Sequence, residues 1–187
     1  RDVLGSRGLG DVYKRQTMNG ENVNLEDMLN WREERVNIQN IFLSQYHCPV
    51  ISFCMNIPGP IKTNEDILTA FISGKECLLD ELSTLPACIL NHIEVHKKTG
   101  DELILSVDYP AEKIKELTTR IEETHPLGRL FDMDVIDRNG QKLSRNTWRK
   151  CIICGCQAQE CARSRRHSIA EMQSCIQKMI NNSDLQN

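Results

Sequence analysis

Apolar residues recur at helical, then alternating, then helical intervals along this chain, and the order of those switches predicts its architecture. Over residues 24–46, Leu25, Met28, Leu29, Val36 and Leu43 recur among charges and predict an amphipathic opening helix. Residues 49–57 are β-branched and apolar and stop at Pro58-Gly59-Pro60, which reads as a buried strand and a rigid turn. Asn64 caps the next predicted helix, whose apolar positions include Ile67, Phe71, Leu78 and Leu82. Residues 87–96 and 102–107 flank a polar, glycine-containing connection and predict a β-hairpin. Pro110 opens a helix with Ile114, Leu117 and Ile121 on one face, closing near His125-Pro126. A strand follows in Gly128-Arg129-Leu130-Phe131-Asp132-Met133-Asp134-Val135, and Asn139-Gly140 turns towards a short strand at 141–143. Beyond a cysteine-rich loop, Ser168 and Glu171 offer a capping box for a final helix carrying Ile169, Met172, Ile176 and Ile180.

After the opening helix the order is β-α-β-β-α-β. That is an α+β, ferredoxin-like arrangement: an antiparallel sheet with both helices on one face, to which an N-terminal helix and a C-terminal Cys/Arg-rich loop and helix are added. A mixed sheet of the nucleotidyltransferase type is the alternative. The 187 residues suit one domain, set at 18–180, with a tail at 181–187 that frays. Residues 1–17 carry neither an apolar leader core nor a cleavage signal and read as a non-native leader, with Met18 as the expected start.

Hydrophobic residues make up 40% and charged residues 26%, ordinary for a soluble globular domain, and no run approaches the ~20 apolar residues of a membrane span. The net charge of −3 hides an asymmetry, because from 129 to 166 nine basic residues stand against four acidic ones. With only nine aromatic residues (three Tyr, four Phe, two Trp), that basic stretch suits a polyphosphate ligand better than nucleic acid. Nine cysteines, four of them clustered, do not form an evenly spaced disulfide framework and point to a reducing, cytoplasmic setting.

Asp132 and Asp134 call for explanation. Strand alternation sends Phe131, Met133 and Val135 to the core and sets the two carboxylates side by side on the other face, roughly 7 Å apart at the backbone. Two solvated acids on a wet sheet face would look the same. Asp is depleted in strands, however, and Mg²⁺ favours one or two carboxylates completed by water and phosphate, so phosphoryl or nucleotidyl transfer is the chemical reading.

A second constellation is Cys151, Cys154, Cys156 and Cys161, followed by Arg163, Arg165, Arg166 and His167. Cys151, Cys154, Cys161 and His167 can supply four zinc ligands; buried free thiols are the alternative. The three arginines and His167 at a helix entrance form a candidate triphosphate cradle, or a solvated patch. Ser144, Arg145 and Lys62 are weaker candidates of the same kind.

Taken in order, residues 56–62 (NIPGPIK), 122–135 (EETHPLGRLFDMDV), Leu143-Ser144-Arg145 and 161–167 (CARSRRH) resemble the apo-citrate lyase phosphoribosyl-dephospho-CoA transferase family, also called citrate lyase holo-acyl-carrier-protein synthase. The resemblance spans about residues 25–180. It implies transfer of the phosphoribosyl-dephospho-CoA group from triphosphoribosyl-dephospho-CoA to a serine of the apo citrate lyase acyl carrier protein, with release of pyrophosphate. By similarity to the malonate decarboxylase counterpart, Asp132 and Asp134 would be catalytic and hold Mg²⁺. Arg129, Arg145 and the later arginines would hold substrate, and His125 and His167 are candidate bases. The stretch between Arg145 and Cys151 is shorter than the family pattern. A non-enzymatic zinc-binding adaptor of an acidic partner is the rival from another class, and a metal-dependent nuclease is a weaker third.

Overall fold

The computed structural model describes residues 18–145 and 147–183. Its elements are α1 (Leu25–Tyr46), β1 (Val50–Met55), α2 (Glu65–Ser83), β2 (Cys88–Lys97), β3 (Gly100–Asp108), α3 (Ala111–Thr124), β4 (Phe131–Ile136), α4 (Ala158–Arg163) and α5 (Ile169–Ser183). The sheet order is β2-β3-β1-β4 and every pairing is antiparallel, so the ferredoxin-like arrangement holds and the mixed-sheet alternative fails. The leader and the end of the expected tail, residues 1–17 and 184–187, lie outside the described residues. Helix α5 continues through 181–183, where fraying was expected.

The face of the sheet under α2 and α3 is dry. Phe53, Phe71 and Phe131 are fully buried, and the Phe53 ring lies 5.0 Å from Phe71 and 5.3 Å from Phe131, tying β1, α2 and β4 together. At Gly128, in the 3₁₀ turn before β4, any Cβ would lie 2.6 Å from the carbonyl oxygens of Ile121 and Glu122. Only glycine lets that turn press against the end of α3, and this contact brings Glu122 beside β4.

The opposite face is covered by α1, and here the sequence reading chose the wrong stripe. Leu25, Leu29 and Val36 are exposed, whereas Trp31 and Phe42 are buried. The reason is the sheet beneath. Val50, Ile104 and Ile136 form an apolar cluster with Phe42, while Ser52 and Glu102 on the same face are buried polar groups that need partners. Trp31 Nε1 donates to Glu102 at 2.7 Å, Arg35 pairs with Glu102 at 3.0 Å, and Gln39 donates to Ser52 at 3.0 Å. Helix α1 therefore packs through a mixed row at i, i+4 and i+8, which an apolar-periodicity search does not detect.

Two further expectations change. The strand at 141–143 is a single bridge, Ile136 to Lys142, because β4 is already the sheet edge and nothing beyond continues the ladder. The cysteine-rich loop contains a short helix, α4, that was not expected.

Candidate active site

Strand β4 has one edge free of the sheet, and that edge is capped mostly by side chains, with one short backbone bridge, rather than by another strand. The Met133 N–H donates to Glu122 Oε1 at 2.8 Å, and the Met133 carbonyl accepts from Lys115 Nζ at 3.2 Å. The Phe131 carbonyl accepts from Arg149, and the Val135 carbonyl from the Leu143 N–H at 2.8 Å. Pairing the edge this way removes its potential for aggregation and gathers charged groups around the aspartates.

Asp132 and Asp134 share a face of β4, opposite Cys54 and Ser52 of β1, while Phe131, Met133 and Val135 are buried on the other face. Both carboxylates line a cleft of about 530 Å³ together with Lys115, Glu122, Lys142, Ser144, Arg145, Trp148 and Arg149. Asp132 pairs with Arg149 at 3.2 Å and Asp134 with Lys142 at 2.5 Å. These contacts leave Oδ2 of Asp132 and Oδ1 of Asp134 without a hydrogen bond among the described residues. Glu122 is only 2% exposed and pairs with both Arg145 and Arg149. Burial pulls Lys115 below the usual lysine range, against the opposing pull of Asp134. Burial likewise lowers Arg145, with the Arg149 charge adding to it. Four cations thus face three anions, a balance that a polyphosphate would reverse.

The donor set suits a hydrated divalent cation. Two partly exposed carboxylates stand on neighbouring same-face positions, each with one oxygen uncommitted, and the long, exposed side chain of Lys142 can swing away.

The other predicted residues lie elsewhere. Arg129, Arg165 and His167 line a second, more apolar cavity of about 710 Å³ with Cys151, Cys161, Ile152 and Met172. A third cavity shares Arg145, Trp148 and Arg149 with the first and Arg129 with the second. Arg163 is exposed and lines neither, and Arg166 is exposed with Nη1 3.6 Å from Cys156 Sγ. Lys62 is half-buried and donates to the Ile57 carbonyl at 2.8 Å, which ties down the Pro-Gly-Pro turn. Neither candidate base lines the aspartate cleft. His125 accepts the Leu127 N–H at Nδ1, which leaves Nε2 to donate to Ser73, and burial lowers its pKa.

His167 instead joins the thiols. One ligand atom from each of Cys151, Cys154, Cys161 and His167 lies within 4.8 Å of the others, the four residues named from spacing. A hydrogen bond from His167 pulls the Cys154 thiol down to about 5, and the neighbouring Cys154 sulfur pushes Cys161 up to about 12.

Sequence reasoning missed Lys115, Glu122, Lys142, Trp148 and Arg149 as site residues. Glu122 stood within the family-like segment, and Lys142 and Arg149 within the basic stretch, but nothing local marked them as neighbours of the aspartates.

The family described as apo-citrate lyase phosphoribosyl-dephospho-CoA transferase matches residues 23–183. Proteins carrying that name from Citrobacter koseri, Shigella boydii serotype 18 and Escherichia coli O157:H7 are each 31% identical over 166 residues, covering 87% of this chain and 91% of theirs. The match takes in β4 with its two aspartates, the capping loop and the thiolate cluster, so the adaptor reading gives way to an enzyme. The chain belongs to the apo-citrate lyase phosphoribosyl-dephospho-CoA transferase family.

Proposed function

We propose that this enzyme transfers the phosphoribosyl-dephospho-CoA group from triphosphoribosyl-dephospho-CoA to a serine of the apo citrate lyase acyl carrier protein. The observation that carries the reading is the Asp132/Asp134 pair on one strand face of a cleft walled by Lys115, Lys142, Arg145 and Arg149. The serine oxygen attacks the α-phosphorus, the bond from that phosphorus to the β-phosphate oxygen breaks, and pyrophosphate leaves.

Asp132 and Asp134 would hold Mg²⁺, which when bound neutralises phosphate oxygens and lowers the pKa of the serine hydroxyl. Lys142 exchanges its carboxylate partner for the β- and γ-phosphates, and Arg145 and Arg149, both held by Glu122, keep fixed positive charges beside them. The serine proton passes to water, because the cleft is open and neither His125 nor His167 lines it. Such transfer rests on positioning and charge neutralisation more than on a dedicated base. Trp148, 56% exposed at the cleft, offers a flat face for the adenine.

All nine cysteines are free thiols, which supports a cytoplasmic setting, and no helix among the described residues is long and apolar enough to cross a membrane. A zinc ion on the thiolate cluster is structural in this reading and takes no part in the chemistry. The test is incubation with apo carrier protein, triphosphoribosyl-dephospho-CoA and Mg²⁺, followed by intact-mass measurement. A carrier mass increased by one phosphoribosyl-dephospho-CoA unit with stoichiometric pyrophosphate is expected; an unchanged carrier mass would refute the reading.

A further inference from the structure

We infer that Cys151, Cys154, Cys161 and His167 bind one zinc ion tetrahedrally, and that this metal clips the segment after β4 so that Arg149 stays over Asp132. The Cys154 and Cys161 sulfurs are 3.4 Å apart, and His167 Nε2 is 3.3 Å from Cys154. A disulfide needs about 2.05 Å, so the sulfurs are not bonded. A tetrahedron with Zn–S bonds of about 2.3 Å has a sulfur–sulfur edge of roughly 3.8 Å, which lies between the 3.4 Å of this pair and the 4.8 Å within which all four ligand atoms fall. Three thiolates and an imidazole are a soft donor set, which selects zinc and rejects the Mg²⁺ that suits the aspartates. The three cysteines coordinate as thiolates, any thiol proton still held passing to solvent, and the neutral imidazole coordinates through Nε2.

The backbone is already shaped for this. The Cys151 N–H bonds to the Cys156 carbonyl and the Gly155 N–H to Cys151, with Gly155 at φ +71° closing the turn between the first two sulfurs. Cys161 is buried on α4, Cys151 and His167 are half-buried and Cys154 is exposed, so the cluster has a closed floor and an open entry.

The fold also needs a clip here. From Ser144 to Gln157 the described chain has no helix or strand, only the bridge from Lys150 to Gln157, and long irregular stretches are uncommon in compact domains. Arg149 is two residues before Cys151, and its carbonyl accepts the Ala158 N–H at 2.8 Å at the start of α4. A metal joining Cys151 to Cys161 of α4 therefore fixes both ends of the turn from which Arg149 reaches Asp132. The cysteines are positioning residues and touch no reacting group. The zinc site stands without the transferase reading; its effect on turnover rests on it.

The full-length chain, purified without chelator, is expected to carry about one zinc. Cys151→Ser and His167→Ala should lose it, while Cys156→Ser and Cys175→Ser, outside the cluster, should keep it. Because the ligand variants can fail to fold, cobalt substitution of the unaltered chain is decisive. Intense visible bands of tetrahedral thiolate-bound Co²⁺ are expected, and a chain that binds neither metal overturns the site. For the clip, zinc removal should raise amide hydrogen exchange over 147–152 and increase KM for triphosphoribosyl-dephospho-CoA about tenfold with a smaller change in kcat, both reversed by zinc. Unchanged exchange overturns the clip. A zinc-bound chain that protects 147–152 yet transfers nothing would refute the transferase reading and leave the metal site standing.

Discussion

The aspartate cleft draws its charged groups from α3, β4 and the loop beyond, spread from Lys115 to Arg149, whereas the thiolate cluster draws all four donors from the stretch between Cys151 and His167. The first is assembled by the tertiary fold. Its carboxylates stand on a strand anchored by Phe131, Lys115 and Glu122 arrive because Gly128 allows α3 to lie against β4, and Glu122 in turn holds Arg145 and Arg149 from the loop beyond. The second is assembled by local chain geometry on a segment with little regular structure, where the inferred zinc would supply the rigidity that packing gives the first. A site on regular elements keeps its geometry when one of its own side chains is altered, and a site on irregular chain does not.

The strongest way to test that contrast is Asp132→Asn. Its side chain is 41% exposed and among the described residues pairs only with Arg149, so the fold loses little. In the proposed mechanism, however, the transition state loses one of the two carboxylates that would hold Mg²⁺. Transfer is expected to fall by at least about 10³-fold with zinc content and Tm nearly unchanged. Turnover within tenfold of the parent would remove Asp132 from the catalytic site.

Glu122→Gln comes next, and its effect is on stability. This buried carboxylate accepts the Met133 N–H and neutralises Arg145 and Arg149. Removing its charge leaves two guanidinium groups poorly compensated, which costs about 3 kcal/mol, or roughly 6–12 °C in Tm for a domain of this size. Thermal unfolding of the metal-loaded chain measures it. A shift under about 2 °C would show that the edge of β4 does not depend on this charge.

The sequence disclosed these regions unequally, and for the same reason that they are built differently. Zinc-like spacing in Cys151, Cys154, Cys161 and His167 is a local pattern, and the four residues named from it come together. The Asp132/Asp134 pair was also legible, because strand alternation alone puts both on one face. Lys115 and Glu122 were not, since what places them is the register of α3 on the outer edge of β4. Apolar periodicity found every strand of the sheet and both helices of its dry face. It also found α1 but misassigned its buried stripe, because Arg35 and Gln39 satisfy Glu102 and Ser52 on the sheet beneath.

The smallest expected effect decides where the phosphate cradle lies. Spacing in the sequence put it on Arg163, Arg165 and Arg166, whereas the fold puts Arg145 and Arg149 in the aspartate cleft and leaves Arg163 exposed outside both large cavities. Hydrogen bonds to charged groups contribute about 1.5–3 kcal/mol, so Arg149→Ala should raise KM for triphosphoribosyl-dephospho-CoA roughly 10- to 100-fold. Arg163→Ala should change it by less than about twofold, because an exposed guanidinium far from the ligand acts only through a screened field. Steady-state kinetics on the two variants, each with its zinc content verified, gives the comparison. If Arg163→Ala proved the more damaging, the triphosphate would lie along the C-terminal arginines beside the thiolate cluster, and the cleft over Asp132 would have to receive the carrier serine from the opposite side.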